Sequence, residues 1–325
     1  MGSGYVLCSL DTKLAGGSVT HQALLYGSEE EFLAGTVPFV RDGLVRGDPI
    51  RVATTDRNAG WLRAALGADA QRVEFCASSQ CYRHPAQALA AAHHIARTAG
   101  TDGHRLRIIG EPLWTARSAP ERKEWNRYES LVNSVLAEAG VALLCTYDIH
   151  VVDQDVMTQV ARTHPELVVD GEPRPSPGYA DPAVINSECN SAPLAELPPP
   201  SLWLRFHGVD QLATLRDFVS SHASGTGADT RSVGPFVQAV DEIATNAIRH
   251  GGGSGVLQVW TSPRTILCQI SDTGPGLRDP LAGQLPLAPG HAGGCGLWLA
   301  RQFSDLLELH SDPAGTTVRL HLMLH

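Results

Sequence analysis

The chain predicts two α/β units of different construction, and three observations carry that prediction. Short apolar runs alternate with helical patterns through the first half, a proline-dense stretch interrupts them, and a mixture of long helices and paired strands follows. At 325 residues the chain exceeds one typical domain.

The first unit reads in order. Residues 22–26 (QALLY) form a strand, Gly27-Ser28 a turn, and 29–45 a helix. Glu29, Glu30 and Glu31 suit the positive end of that helix. Strands follow at 49–54 and 73–76, with a helix at 59–66 between them. An alanine-rich helix spans 85–99, a strand 106–110, a helix 120–139 and a strand 141–147. Strands this apolar, alternating with helices, imply a parallel sheet covered on both faces. Residues 171–200 hold eight of the 21 prolines and read as a linker without regular elements. Beyond it, strands at 202–206, 255–260, 265–271 and 316–322 accompany helices at 209–221, 233–249 and 296–307, an α+β layered sandwich.

Composition narrows the function classes. The net charge is −9, only Lys13 and Lys123 are lysines, and no basic cluster appears, which argues against direct nucleic-acid binding. Seven scattered cysteines imply a reducing compartment. Without a signal segment or an apolar run of membrane length, the expected location is cytoplasmic, with no membrane association.

Three segments of the second unit carry chemistry. Glu242 and Asn246 lie four apart on a helix and share a face. A carboxylate there can polarise a hydroxyl, and an amide oxygen can ligate Mg²⁺. Asp272-Thr273-Gly274-Pro275-Gly276 follows a strand, where glycines allow a tight loop and the carboxylate can accept from an exocyclic amine. Gly290-His291-Ala292-Gly293-Gly294-Cys295-Gly296 opens a helix, and its backbone N–H groups suit phosphate. Each is weak alone; their order, followed by Gly315-Thr316, is specific.

That order resembles the GHKL (Bergerat) ATPase family over residues 201–325, including its N, G1 and G2 boxes. The resemblance implies ATP and Mg²⁺ as cofactors. Asn246 would hold the metal, Asp272 would read adenine N6, and Gly274 and Gly276 would shape the adenine pocket. Gly294 and Gly296 would carry the phosphate lid, and Thr316 would assist near adenine. Asp241-Glu242-Ile243-Ala244-Thr245-Asn246-Ala247 and Gly294-Cys295-Gly296-Leu297 are closest to anti-sigma-factor serine kinases. In those, the residue matching Glu242 is the general base acting on a serine of an anti-anti-sigma (STAS) protein, and a sigma factor is the other partner. The lid departs from the pattern, being rich in Pro and Leu and lacking lysine. Rival readings are a non-catalytic ATP-binding anti-sigma module and a sensor histidine kinase. The latter needs a dimerising hairpin, for which residues 200–215 leave no room. The kinase resemblance also implies a homodimer.

In the first unit, the turn Tyr26-Gly27-Ser28 leads into three acids where a phosphate-binding loop would need Gly-Lys-Ser/Thr. Three carboxylates would repel phosphate, so a second ATP site is not expected. Residues 18–170 resemble the MEDS sensory domain, a RecA-like fold with a degenerate nucleotide loop. His21, Tyr26, Gly110-Glu111-Pro112-Leu113-Trp114, the 124–129 helix with Asn133, and Cys145-Thr146-Tyr147-Asp148 carry that likeness. It implies a small-molecule or other signal as ligand. Strand ends are where open parallel sheets hold ligands, so Glu111, Trp114, Tyr147 and Asp148 are candidate pocket residues, and the MEDS resemblance adds His21 and Tyr26. Core-edge packing accounts equally well for Trp114 and Tyr147. Cys76, Cys81 and His84 could ligate a metal or haem but match no standard finger. Cys145 and Cys295 read as small apolar fillers. The expected organisation is a MEDS-like domain at 1–170, a linker at 171–200 and an ATP-binding domain at 201–325.

Overall fold

The computed structural model describes residues 19–98, 104–115, 117–200, 202–285 and 294–324. The chain divides after Pro182 into two compact units.

The first unit is a seven-stranded sheet in the order β3-β2-β4-β5-β1-β6-β7. Its strands are β1 (Thr20–Tyr26), β2 (Ile50–Thr54), β3 (Glu74–Ala77), β4 (Leu106–Gly110), β5 (Val141–Asp148), β6 (Glu166–Val169) and β7 (Glu172–Pro175). All neighbours pair in parallel except β6 and β7. Helices α1 (Glu29–Arg46), α2 (Asp56–Leu66), α3 (Ser78–Cys81), α4 (Pro85–Thr98), α5 (Ala119–Val135) and α6 (Gln154–Thr163) make the crossovers. The near-continuous burial of β2 and β5 is what a sheet covered on both faces requires.

Local chemistry sets the helix ends. Ser28 Oγ accepts from Glu31 N–H at 3.2 Å and caps α1, while Gly47, at φ 76°, ends it in the left-handed conformation. Ser118 and Glu121 form a reciprocal capping box on α5. One core joins Phe32 and Val40 of α1 to Val52, Ile109 and Leu144 of the sheet.

The second unit is a five-stranded antiparallel sheet in the order β11-β12-β10-β9-β8. Its strands are β8 (Leu202–His207), β9 (Ser254–Ser262), β10 (Thr265–Ser271), β11 (Leu306–Asp312) and β12 (Gly315–Met323). Helices α7 (Pro182–Ser191), α8 (Leu212–Ser224), α9 (Thr230–His250) and α10 (Gly296–Gln302) accompany it. Apolar residues of α9, among them Phe236, Val240, Ile243 and Ala247, bury against Leu257, Val259, Ile270 and Leu320 of the sheet. That stripe at i, i+4, i+7, i+11 fixes which α9 side chains remain outside the core.

Two expectations need correction. The helix expected over 296–307 stops at Gln302, and Leu306–Asp312 is a strand paired with β12 around the turn at 313–314. Leu306, Leu307 and Leu309 suit a buried strand, and Asp312-Pro313-Ala314-Gly315 is the turn signal that marks it. The proline-dense stretch is also not devoid of elements, since it contains β7 and α7. Residues after α7 pack on the second unit through their carbonyls, which proline retains. Trp260 Nε1 donates to Pro198 O at 2.7 Å, and Arg319 to Ala195 O at 2.9 Å.

Candidate functional site

In the second unit the C-terminal half of α9, the end of β10, the loop after it and the start of β12 enclose a cleft of about 790 Å³. Asn246, Asp272, Gly276, Gly294 and Thr316 line it, beside Ile243, Ile270, Leu277, Leu309 and Val318. One wall is thus apolar and the other carries an amide and a carboxylate, the mixture expected of a small-molecule site.

Asp272 is held by the backbone. Its Oδ1 accepts from Gly274 N–H at 2.9 Å and from Thr316 N–H at 3.3 Å, and its own N–H donates to Thr316 O at 2.9 Å. Neighbouring glycines make room for it. A Cβ on Gly251 would lie 2.3 Å from Asp272 Cγ, and one on Gly315 would lie 2.2 Å from Asp272 O. Gly274 approaches Gly251 so closely that a Cβ would come within 2.5 Å of its Cα. At φ 74°, Gly276 adopts a conformation other residues avoid, and a Cβ there would meet Asp312 O at 2.3 Å.

Glu242 does not line the cleft but stands next to it. A Cβ on Gly296 would lie 2.7 Å from Glu242 Oε2 and 3.3 Å from Asn246 Nδ2, so α10 brings its first residue against both side chains. Among the described residues, neither side chain makes a hydrogen bond or ion pair, and both are half-buried. Polar groups in such a position are available to something other than the protein. The lid segment 286–293, including Gly290 and Gly293, lies outside the described residues.

Gly283 also lines the cleft and lies outside the three segments that the sequence marks for this site. Gly283, at φ 68°, would press a Cβ to 2.5 Å from Leu297. Its signal was an isolated glycine in a loop, which spacing alone cannot interpret.

In the first unit the six candidate pocket residues fall into separate groups. Tyr26 donates to Glu111 Oε1 at 2.8 Å, and Asn58 Nδ2 reaches both Glu111 oxygens at 3.0 Å. The Thr54 hydroxyl and Thr55 N–H donate to the remaining Glu111 lone pairs. Burial, then the Glu111 carboxylate, push the Tyr26 phenol well above its ordinary range, so it stays protonated and donates. Asp148 pairs instead with Arg57 at 2.8 Å. Trp114 packs on Tyr147 at 6.5 Å between ring centroids, and Tyr147 reaches His164. His21 turns toward Asn133, Cys145 and Glu129. Cys145 is therefore among polar partners rather than a simple apolar filler.

A cavity of about 710 Å³ lies elsewhere in this unit, and none of the six lines it. Cys76, Cys81, Tyr82, Ala92, Ile108 and Tyr128 do. Cys76 and Cys81 sulfurs lie 2.8 Å apart, and the hydrogen bond between them, with burial, pushes Cys76 up. At the start of α1, the Glu31 carboxylate accepts from Gly27 N–H at 2.6 Å and takes the place an anion would need. No described helix is long and apolar enough to cross a membrane.

Known proteins can now be set beside this geometry. No curated protein matches the chain. Among solved structures, the catalytic domain of histidine kinase ThkA is similar at 12% identity and TM-score 0.26, covering 38% of this chain and 96% of its own. The Mycobacterial sensor histidine kinase MprB is similar at 17% and 0.25, over 38% of this chain and 99% of that one. The histidine kinase domain of the E. coli osmosensor EnvZ is similar at 20% and 0.24, over 40% and 93%. Residues 20–165 match the MEDS family, the methanogen/methylotroph DcmR sensory domain, and residues 208–322 match the histidine kinase-like ATPase domain family. The chain therefore joins a MEDS sensory domain to a GHKL-like ATPase domain.

Proposed function

We propose that the second unit binds ATP with Mg²⁺, holds a sigma factor, and phosphorylates a serine of an anti-anti-sigma partner under control of the first unit. The observation that carries this reading is the open pair Glu242 and Asn246 beside the cleft that holds Asp272. Asp272, fixed by two backbone donors, keeps Oδ2 for an exocyclic amine. Asn246 offers an uncommitted amide oxygen to a hard cation. These donors and the apolar wall fit a purine nucleotide with its metal, which would supply charge neutralisation at the phosphates. Glu242, next to Asn246 and without a protein partner among the described residues, is placed to take the proton of an incoming hydroxyl. The helix between β7 and β8 among the described residues is the ten-residue α7, which supports a serine kinase over a kinase that needs a long dimerising hairpin.

The test is transfer of label from ATP to candidate anti-anti-sigma proteins, with phosphosite mapping. Glu242→Gln keeps shape and removes the proton acceptor, so transfer falls by roughly 10²-fold or more while ATP affinity stays near wild type. Sigma binding without transfer to any partner serine would replace the kinase by a binding module, and label on histidine would overturn both.

A further inference from the structure

Four side chains used by neither the cleft nor the 710 Å³ cavity converge in the first unit. His21, Glu129, Cys145 and His164 are all buried, and one ligand atom of each lies within 4.8 Å of the others. The fold places them together. In the β1–β5 register His21 lies opposite Leu143, two residues before Cys145, so His21 and Cys145 share one face of the sheet. Glu129 and Asn133 lie one turn apart on α5, and both reach toward that face. His164 follows the last turn of α6.

Their hydrogen bonds fix which atoms point inward. Asn133 Nδ2 donates to the carbonyls of Ser130 and Thr163, at 3.2 and 2.9 Å, so its Oδ1 is the atom 3.0 Å from His21 Nδ1. His21 Nδ1 therefore carries a proton. His164 Nδ1 lies 2.9 Å from Val160 O, which can only accept, so it carries one too. Both Nε2 atoms then present lone pairs to the centre, where they meet the Glu129 carboxylate at 3.6 and 3.7 Å. Cys145 Sγ is 3.4 Å from His21 Nε2 and 3.9 Å from Glu129 Oε2. Glu129 Oε1 accepts no hydrogen bond among the described residues. Among the described residues, the protons within reach of these acceptors are that of the Cys145 thiol and that of the Tyr147 hydroxyl, 3.4 Å from His164 Nε2. A buried carboxylate so poorly supplied is costly unless a cation sits against it.

We propose that His21, Glu129, Cys145 and His164 form a closed four-coordinate site for a divalent transition-metal ion, Zn²⁺ by the chemistry of its donors. Metal–ligand bonds of about 2.0–2.3 Å arranged as a tetrahedron set neighbouring ligand atoms roughly 3.3–3.8 Å apart. Four of the six edges, at 3.4, 3.6, 3.7 and 3.9 Å, lie within or just beyond that spacing, and all four ligand atoms are within 4.8 Å of one another, so modest contraction closes the tetrahedron. Imidazole, thiolate and carboxylate together suit Zn²⁺ rather than Mg²⁺ or Ca²⁺. Binding releases the Cys145 proton to solvent, and the ion's two charges are then cancelled by thiolate and carboxylate. The buried site is left neutral. Asn133 Oδ1 and Val160 O hold the two rings from behind, the outer-shell support metal-bound histidines need. With four protein ligands the site is structural, and it ties β1, α5, β5 and the end of α6 to one point.

The full-length protein, unfolded and refolded with Co²⁺ or Zn²⁺, tests this. About one metal per chain should survive desalting, and the Co²⁺ form should show a thiolate-to-cobalt band in the near ultraviolet with tetrahedral visible bands. Cys145→Ser should remove the near-ultraviolet band, His164→Gln should weaken metal retention at least tenfold, and Cys81→Ser should change neither. Zn²⁺ should also raise the melting temperature of the refolded wild type relative to refolding in chelator. A wild type that refolds equally stably in chelator and retains no metal would show that protons alone fill the cluster, and the proposal falls. It falls equally if Cys81→Ser abolishes the band while Cys145→Ser keeps it.

Discussion

Glu111 in the first unit and Asp272 in the second both directly follow the last residue of a strand, yet the two carboxylates are treated in opposite ways. Glu111 is buried and its oxygens are taken up by Tyr26, Thr54, Thr55 and Asn58. Asp272 is half-buried, with one oxygen fixed by backbone N–H groups and the other facing a cleft. A carboxylate enclosed by its own protein contributes to rigidity, while one left half-served is positioned to recognise something else. Burial and partners, rather than residue type, separate the two acids.

The largest effect expected from that contrast is on stability. Glu111→Ala removes the acceptor of the Tyr26 and Thr54 hydroxyls and the Thr55 N–H, while Asn58 keeps its bond to Tyr26, and should lower unfolding free energy by about 3–5 kcal/mol, since each orphaned donor costs about 1–3 kcal/mol. Chemical denaturation followed by circular dichroism measures it. Asn246→Ala comes next and acts on binding instead, with Mg·ATP affinity by calorimetry down roughly 10²-fold, about 2.7 kcal/mol, and stability changed by less than about 0.5 kcal/mol. If this variant loses as much stability as Glu111→Ala, the distinction between enclosed and open polar groups fails. The smallest effect is expected from Gly251→Ala. Its new methyl would lie 2.3 Å from Asp272 Cγ, far inside the contact distance of about 3.5 Å, and must displace the carboxylate by about 1 Å, weakening nucleotide binding by roughly tenfold, about 1.4 kcal/mol. Equal loss of affinity for ATP and GTP in that variant would show that Asp272 does not read the base.

How much could be read beforehand also differs between the two units. In the second, local pattern puts Glu242 and Asn246 on one helix face and Asp272 at a strand end, the family resemblance adds Gly276 and Thr316, and these residues meet in or beside one cleft. The strand Leu306–Asp312 escaped because a short apolar run after a helix continues the helical period as readily as it begins a strand. In the first unit, Tyr26 and Glu111 were recognised, but Asn58, which bonds both, was not. Nothing in a single sequence shows that residues 85 and 53 positions away will share one carboxylate. The cluster of His21, Glu129, Cys145 and His164 is likewise distributed over 144 residues, with no spacing a motif could capture.

Strand β7 carries a consequence for how copies of this protein can associate. Ser176 N–H points inward, donating to Pro165 O at 2.8 Å, and alternate residues of a strand direct their N–H groups to opposite sides. The nitrogens of Pro173 and Pro175 therefore face outward and have no hydrogen to give. An incoming strand would find no N–H donor at either outward-facing position of this rim of the seven-stranded sheet, and β3 at the other rim is also only four residues long. Sheet-to-sheet growth between sensory units is thereby discouraged at both ends. Contact between two such units through helices or loops would leave the parallel sheet and its buried clusters undisturbed.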